Sequence, residues 1–174
     1  MSADLRTLID SFRLPFLRTL SRMEKEGYVL KITYTLRTPL EQAKLWRQGR
    51  PRSVINARTS DLEALGCDYL AQCLKDAGPQ SGKKVTNALP GLSWHQYGEA
   101  ADVLAYDTTG TLIKNGDNIA YQILEDMARK EGLTTGRSWG DAGHIQASQL
   151  GKPQYDLPTI NDLMKNKFLT NGKD

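Results

Sequence analysis

A chain of 174 residues has the length of one compact domain, expected over 1–174, and is long enough to bury a real hydrophobic core. Its 39% hydrophobic and 25% charged residues, with a mean hydropathy of -0.51, exclude a disordered tail and a membrane-embedded protein. The net charge of +3 permits adhesion to an anionic polymer. No interleaving of aromatic and basic residues on a nucleic-acid module accompanies it, so no nucleic-acid partner is expected.

Arg, Asp and Ser interrupt every apolar run in the first twenty residues, so neither a signal peptide nor a stable membrane insertion is expected, and synthesis is placed in the cytoplasm. Residues 3 to 26 set Leu5, Leu8, Phe12, Phe16, Leu20 and Met23 three or four apart, the period of an amphipathic helix that Pro15 kinks or divides. Gly27 stops it, and YVLKITYTL at 28–36 alternates as a half-buried strand. Thr38, Pro39 and Glu41 spell an N-cap, a first-position proline and a capping box for a helix that ends at Gly49.

Residues 50–56 read as a polar, turn-rich stretch. SDLEALGCDYLAQCLKDAG follows as a helix with Leu62, Leu65, Tyr69, Leu70 and Leu74 on its apolar stripe. Cys67 and Cys73 point to different sides of such a helix, cannot pair with each other, and read as buried thiols. AADVLAYD at 100–107 is a strand and TTGTL its turn. Asn118–Lys130 is a helix with Ile119, Ile123, Leu124 and Met127 inward, HIQA at 144–147 is a last strand, and a helical turn is expected around 160–168. Helices around a small antiparallel sheet make the fold class α+β.

The protein has two histidines, in SWHQYGEAAD at 93–102 and in SWGDAGHIQ at 138–146, each with a carboxylate close by. On one helix, His95 and Asp102 would stand about 10 Å apart and share no ion. If Gly98 turns the chain and Ala100 begins a strand, Asp102 faces away from Ala101, Val103 and Ala105 and can return towards His95. His144 is the remaining histidine, sharing a strand face with Gln146 while Ile145 points to the core. Two imidazoles, a carboxylate and an open fourth position make a catalytic zinc layout. Asp141, in the turn before His144, is the general-base candidate for the attacking water. Glu99 competes for that role, although Gly98 argues against the helix its spacing needs, and it reads as a surface or supporting residue.

The segments SWHQYGEAAD and DAGHIQ resemble the SxHxxGxAxD and DxxH signatures of the zinc peptidases related to VanY and to phage L-alanyl-D-glutamate endolysins. YTLRTPLEQAKLWRQGR at 34–50 extends the likeness, which covers about 28–147, with 51–84 as a divergent insertion. The resemblance implies the fold shared by hedgehog and the D,D-peptidases, zinc on His95, Asp102 and His144, Asp141 as base, and Arg37 on the substrate or the developing oxyanion. By position alone, Arg37 sits at a strand end before a helix cap, where a fixed guanidinium can stabilise a tetrahedral intermediate, and the alternative is a surface arginine pairing with Glu41. Ser93, Trp139 and Gln146 are expected to bind substrate or orient ligands, and Trp94 and Trp139 to line a groove.

The expected protein is a monomeric peptidase acting on peptidoglycan stem peptides. The bond expected is L-alanyl-D-glutamate, cut by a phage or prophage endolysin released for host lysis. A D-alanyl-D-alanine carboxypeptidase is the alternative within enzymes, and a zinc-stabilised cell-wall-binding module the alternative outside them.

Overall fold

The structure is a computed structural model that describes residues 3–170. The helices are α1 (Asp10–Lys25), α2 (Pro39–Arg47), α3 (Arg52–Ala64), α4 (Asp68–Asp76), α5 (Ile119–Lys130) and α6 (Leu157–Lys165). The strands are β1 (Val29–Tyr34), β2 (Ala100–Tyr106), β3 (Thr134–Gly136) and β4 (Asp141–Gln146). They form one antiparallel sheet in the order β1-β2-β4-β3, so the fold is α+β.

The chain divides into two compact units. The first comprises the residues up to Leu36 together with Tyr97–Gly151, and holds the sheet with α1 and α5. Its core joins Phe12, Phe16 and Met23 of α1 to Ala101, Val103 and Ala105 of β2, Ile145 of β4, and Tyr121 and Leu124 of α5. Phe12 and Phe16 stack at 5.4 Å, a pairing that contributes about 0.5–1.5 kcal/mol beyond burial. The alternation of β2 expected from its sequence is present: Ala101, Val103 and Ala105 face the helices, and Asp102 does not.

Two expectations change here. The first helix breaks before Asp10 rather than at Pro15, leaving a separate 3-10 turn at Leu5–Thr7. The cause is tertiary: Ile9 is extended and its N–H donates to the carbonyl of Gly98 at 3.1 Å. Ile119 is 55% exposed, because the inward stripe of α5 runs through Ala120, Tyr121, Leu124 and Ala128.

The second unit comprises Arg37–Gln96 and the residues from Lys152 onward. In α2 the capping box forms as its sequence spells it, with the Thr38 hydroxyl accepting from the Glu41 N–H and the Glu41 carboxylate accepting from the Thr38 N–H. The stretch expected as turns from residue 50 onward becomes α3 from Arg52, and the cysteine-bearing helix is two helices. They part at Gly66, whose φ of +71° lies where a side chain is disfavoured. Leu65 falls at that break and is exposed, while Leu62, Leu70 and Leu74 are buried. Cys67 and Cys73 are both free and buried, and burial pushes the Cys73 thiol up to about 11.

Candidate metal centre

The SWHQYGEAAD segment first closes a 3-10 turn at Trp94–Tyr97, with the Ser93 carbonyl accepting from the Gln96 N–H at 3.0 Å. His95 lies in that turn and is 2% exposed. Gly98 then turns the chain with φ +78°, and a Cβ there would stand 2.8 Å from the Thr7 carbonyl oxygen. Both the left-handed backbone and the close approach require glycine. From Ala100 the chain is strand, and Asp102 sits directly opposite His144 in the register of β2 and β4. Facing side chains of an antiparallel pair meet, and the His144 Nδ1 is 2.9 Å from the Asp102 Oδ1.

His95, Asp102 and His144 each offer one ligand atom, and all three atoms lie within 4.8 Å of one another. They form a possible metal site. Donors held at zinc bond lengths of about 2.0–2.1 Å in a tetrahedron stand roughly 3.4 Å apart, so small side-chain rotations bring this set to bonding distance. Two nitrogens and one carboxylate oxygen are donors that zinc accepts, and three protein ligands leave a fourth position for a reactant. The side chains of Asp102 and His144 are 27% and 13% exposed, which gives that position access to solvent.

Burial pulls the His144 pKa down, but the hydrogen bond and charge of Asp102, helped by Gln146 and the charge of Asp141, outweigh it. The imidazole titrates above its ordinary 6.5. The same negative charge that favours the imidazolium favours a cation in its place.

Asp141 is exposed at the first position of β4, in the strand rather than in the turn before it. Trp139 is 52% exposed, with its ring centroid 6.3 Å from that of His144. Gln146 is buried, with its Oε1 3.0 Å from the His144 Nε2. Ser93 and Trp94 are half-buried, and the backbone carbonyl of Glu99 accepts from the Ala147 N–H. The Arg37 N–H donates to the His95 carbonyl at 3.3 Å, and its guanidinium donates to the Gln42 Oε1 at 3.0 Å.

Two residues with a bearing on the site carry no mark in the sequence pattern. Gln42 is fully buried between Arg37 and the Ala88 carbonyl, to which its Nε2 donates at 2.7 Å. Its one signal is an amide on the inward face of α2, beside Pro39, Ala43 and Trp46. Lys114 lines a cavity of about 330 Å³ within the first unit, together with Thr33, Asp102, Tyr121, Asp141 and Gly143. Among the described lining residues Lys114 is the cation, and nothing in the NGD loop marks it.

No protein-family model matches the chain, and no curated protein matches it in sequence. Among solved structures it is similar to a mutant of the vancomycin-resistance D,D-pentapeptidase VanY from a VanB-type cassette, in complex with Zn(II). That similarity has 14% identity and a TM-score of 0.45, over 90% of this chain and 78% of that one. It is also similar to VanYB in complex with D-alanine-D-alanine, at 14% identity and a TM-score of 0.43, over 96% of this chain and 84% of that one.

Proposed function

We propose that the protein is a zinc-dependent peptidase acting on the stem peptides of peptidoglycan. The observation that carries this reading is the gathering of His95, Asp102 and His144 within 4.8 Å, on the two segments that resemble zinc-peptidase signatures. Zinc held by His95, Asp102 and His144 would supply Lewis acidity for the scissile carbonyl and for the acidity of an attacking water. The exposed Asp141 carboxylate accepts that water's proton and returns it to the leaving amine. Arg37, steadied by Gln42, donates to the substrate carbonyl or a substrate carboxylate, and Trp139 offers its exposed ring as one wall for the chain. Ser93 orients ligands or substrate.

For the bond cut, Lys114 favours a D-alanyl-D-alanine carboxypeptidase. An ammonium in a cavity that also borders Asp102 and Asp141 suits the terminal carboxylate of a short peptide end. The second reading, an L-alanyl-D-glutamate endopeptidase of the endolysin kind, is favoured by the DAGHIQ segment.

Digestion of purified peptidoglycan with the zinc-loaded protein, followed by mass spectrometry, separates the two. Release of terminal D-alanine supports the first, and new D-glutamate amino termini support the second. Elemental analysis is expected to find one zinc per chain, lost in His95→Ala, Asp102→Ala and His144→Ala. Unchanged peptidoglycan, or fully active ligand variants without metal, overturns the peptidase reading. Among the described residues no helix is long and apolar enough to cross a membrane.

A further inference from the structure

His144 has two ring nitrogens, and each faces an oxygen that only accepts, Nδ1 the Asp102 Oδ1 and Nε2 the Gln146 Oε1. Gln146 is 2% exposed, and its Nε2 donates to two backbone carbonyls, of Ser148 at 2.6 Å and of Leu150 at 2.9 Å. A primary amide has two hydrogens, and two carbonyl acceptors engage both. The amide is thereby fixed in orientation, with its Oε1 turned to the His144 Nε2 at 3.0 Å. An amide held this way presents only an acceptor, so when a cation takes the place of one ring proton, the hydrogen on Nε2 is the one its surroundings retain. The Nδ1, on the other edge of the ring and 2.9 Å from the Asp102 Oδ1, stands beside a ligand carboxylate, where a bound cation would replace the Nδ1 proton.

We infer that Gln146 is a positioning residue that sets the tautomer and ring orientation of His144, so that Nδ1 and not Nε2 faces the metal. The inference rests on the metal reading of the site and adds a chain of command behind it: the turn at Ser148–Leu150 fixes an amide, the amide fixes an imidazole, and the imidazole presents a chosen atom. The sequence pairs His144 with Gln146 on one strand face, but the partners that orient the amide are backbone atoms of the following turn.

The test has two independent arms. Long-range proton–nitrogen correlation spectra of the zinc-loaded wild-type protein are expected to show His144 with hydrogen on Nε2 and metal on Nδ1. Metal on Nε2 overturns the inference whatever the variants do. In the second arm, zinc affinity is measured by chelator competition in Gln146→Met and Gln146→Glu, with thermal melts of the chelated proteins to confirm folding. Gln146→Met removes the acceptor and is expected to weaken zinc binding by roughly 10- to 100-fold, the usual effect of losing such a support. Gln146→Glu keeps an acceptor oxygen for Nε2–H but cannot donate to the Ser148 and Leu150 carbonyls, and is expected to bind zinc nearly as well as wild type. A residue that merely ties down the turn would make both variants equally weak, and equal weakening, or none in either, overturns the inference. A wild-type protein that binds no zinc sinks the metal reading itself, which is a separate failure.

Discussion

Gly143 lies between Ala142 and the ligand His144, and an added Cβ there would stand 2.3 Å from the Val103 carbonyl oxygen across the β2–β4 ladder. Carbon and oxygen rarely approach closer than about 3.3 Å, so Gly143→Ala must part the two strands by roughly 1 Å. Backbone hydrogen bonds stretched from about 2.9 to 4 Å are effectively lost. Two such bonds at about 1 kcal/mol each, with 1–3 kcal/mol for overpacking, put the destabilisation at roughly 3–5 kcal/mol. For a chain of this size that is roughly 6–20 °C in Tm, since each kcal/mol shifts it by about 2–4 °C. Gly140 is the control: its φ of +84° penalises alanine, but a Cβ there meets nothing within 4 Å. Gly140→Ala should therefore lose only about 1–2 kcal/mol. The assay is circular-dichroism melting with chelator and with zinc. Parting the strands also separates Asp102 from His144, so the gain in Tm from added zinc should shrink in Gly143→Ala and persist in Gly140→Ala. Equal melting of the two variants, with equal zinc gains, would refute the close strand approach.

Asp141→Asn should keep both zinc and fold while activity falls by about 10²- to 10⁴-fold, checked by elemental analysis beside a turnover assay. Lys114→Ala should raise KM for peptides ending in a free carboxylate by about two- to fivefold, the effect of one exposed charge, with kcat little changed. Amidating the peptide terminus should remove the difference between variant and wild type. Cys73, with its thiol pushed up to about 11, should resist iodoacetamide until the protein unfolds, since at pH 8 only about one such thiol in a thousand is ionised. The raised pKa of His144 opposes metal binding in acid, because protons and metal compete for the same imidazole. Zinc affinity should fall as pH drops through a point above 6.5 and level off at higher pH, in a titration followed by chelator competition.

What is legible in the sequence divides by the range of the forces involved. Thr38, Pro39 and Glu41 act within one turn, and α2 starts where they place it. The His95–Asp102 segment is legible for a similar reason: Gly98 and the alternation of β2 are local signals, and with only two histidines in the chain few ligand sets compete. By contrast, α3 buries only Ile55, Thr59 and Leu62, so its polar sequence hides a helix that neighbouring α4 stabilises. β3 is three residues long and exists through its pairing with β4, a contact that no local pattern encodes. Gln42 and Lys114 acquire their importance from partners and cavities distant along the chain, which explains why neither stands out in the sequence.

The direct opposition of Asp102 and His144 in neighbouring strands also bears on when the metal can act during folding. These two residues are separated by 42 positions, and closing a loop of that length in an unfolded chain costs about 3 kcal/mol in entropy. The strands must therefore meet before the full ligand set exists, and an ion arriving earlier finds only His95 and Asp102. Metal should accordingly lengthen the lifetime of the folded protein by slowing its unfolding, while refolding with and without chelator proceeds at nearly the same rate.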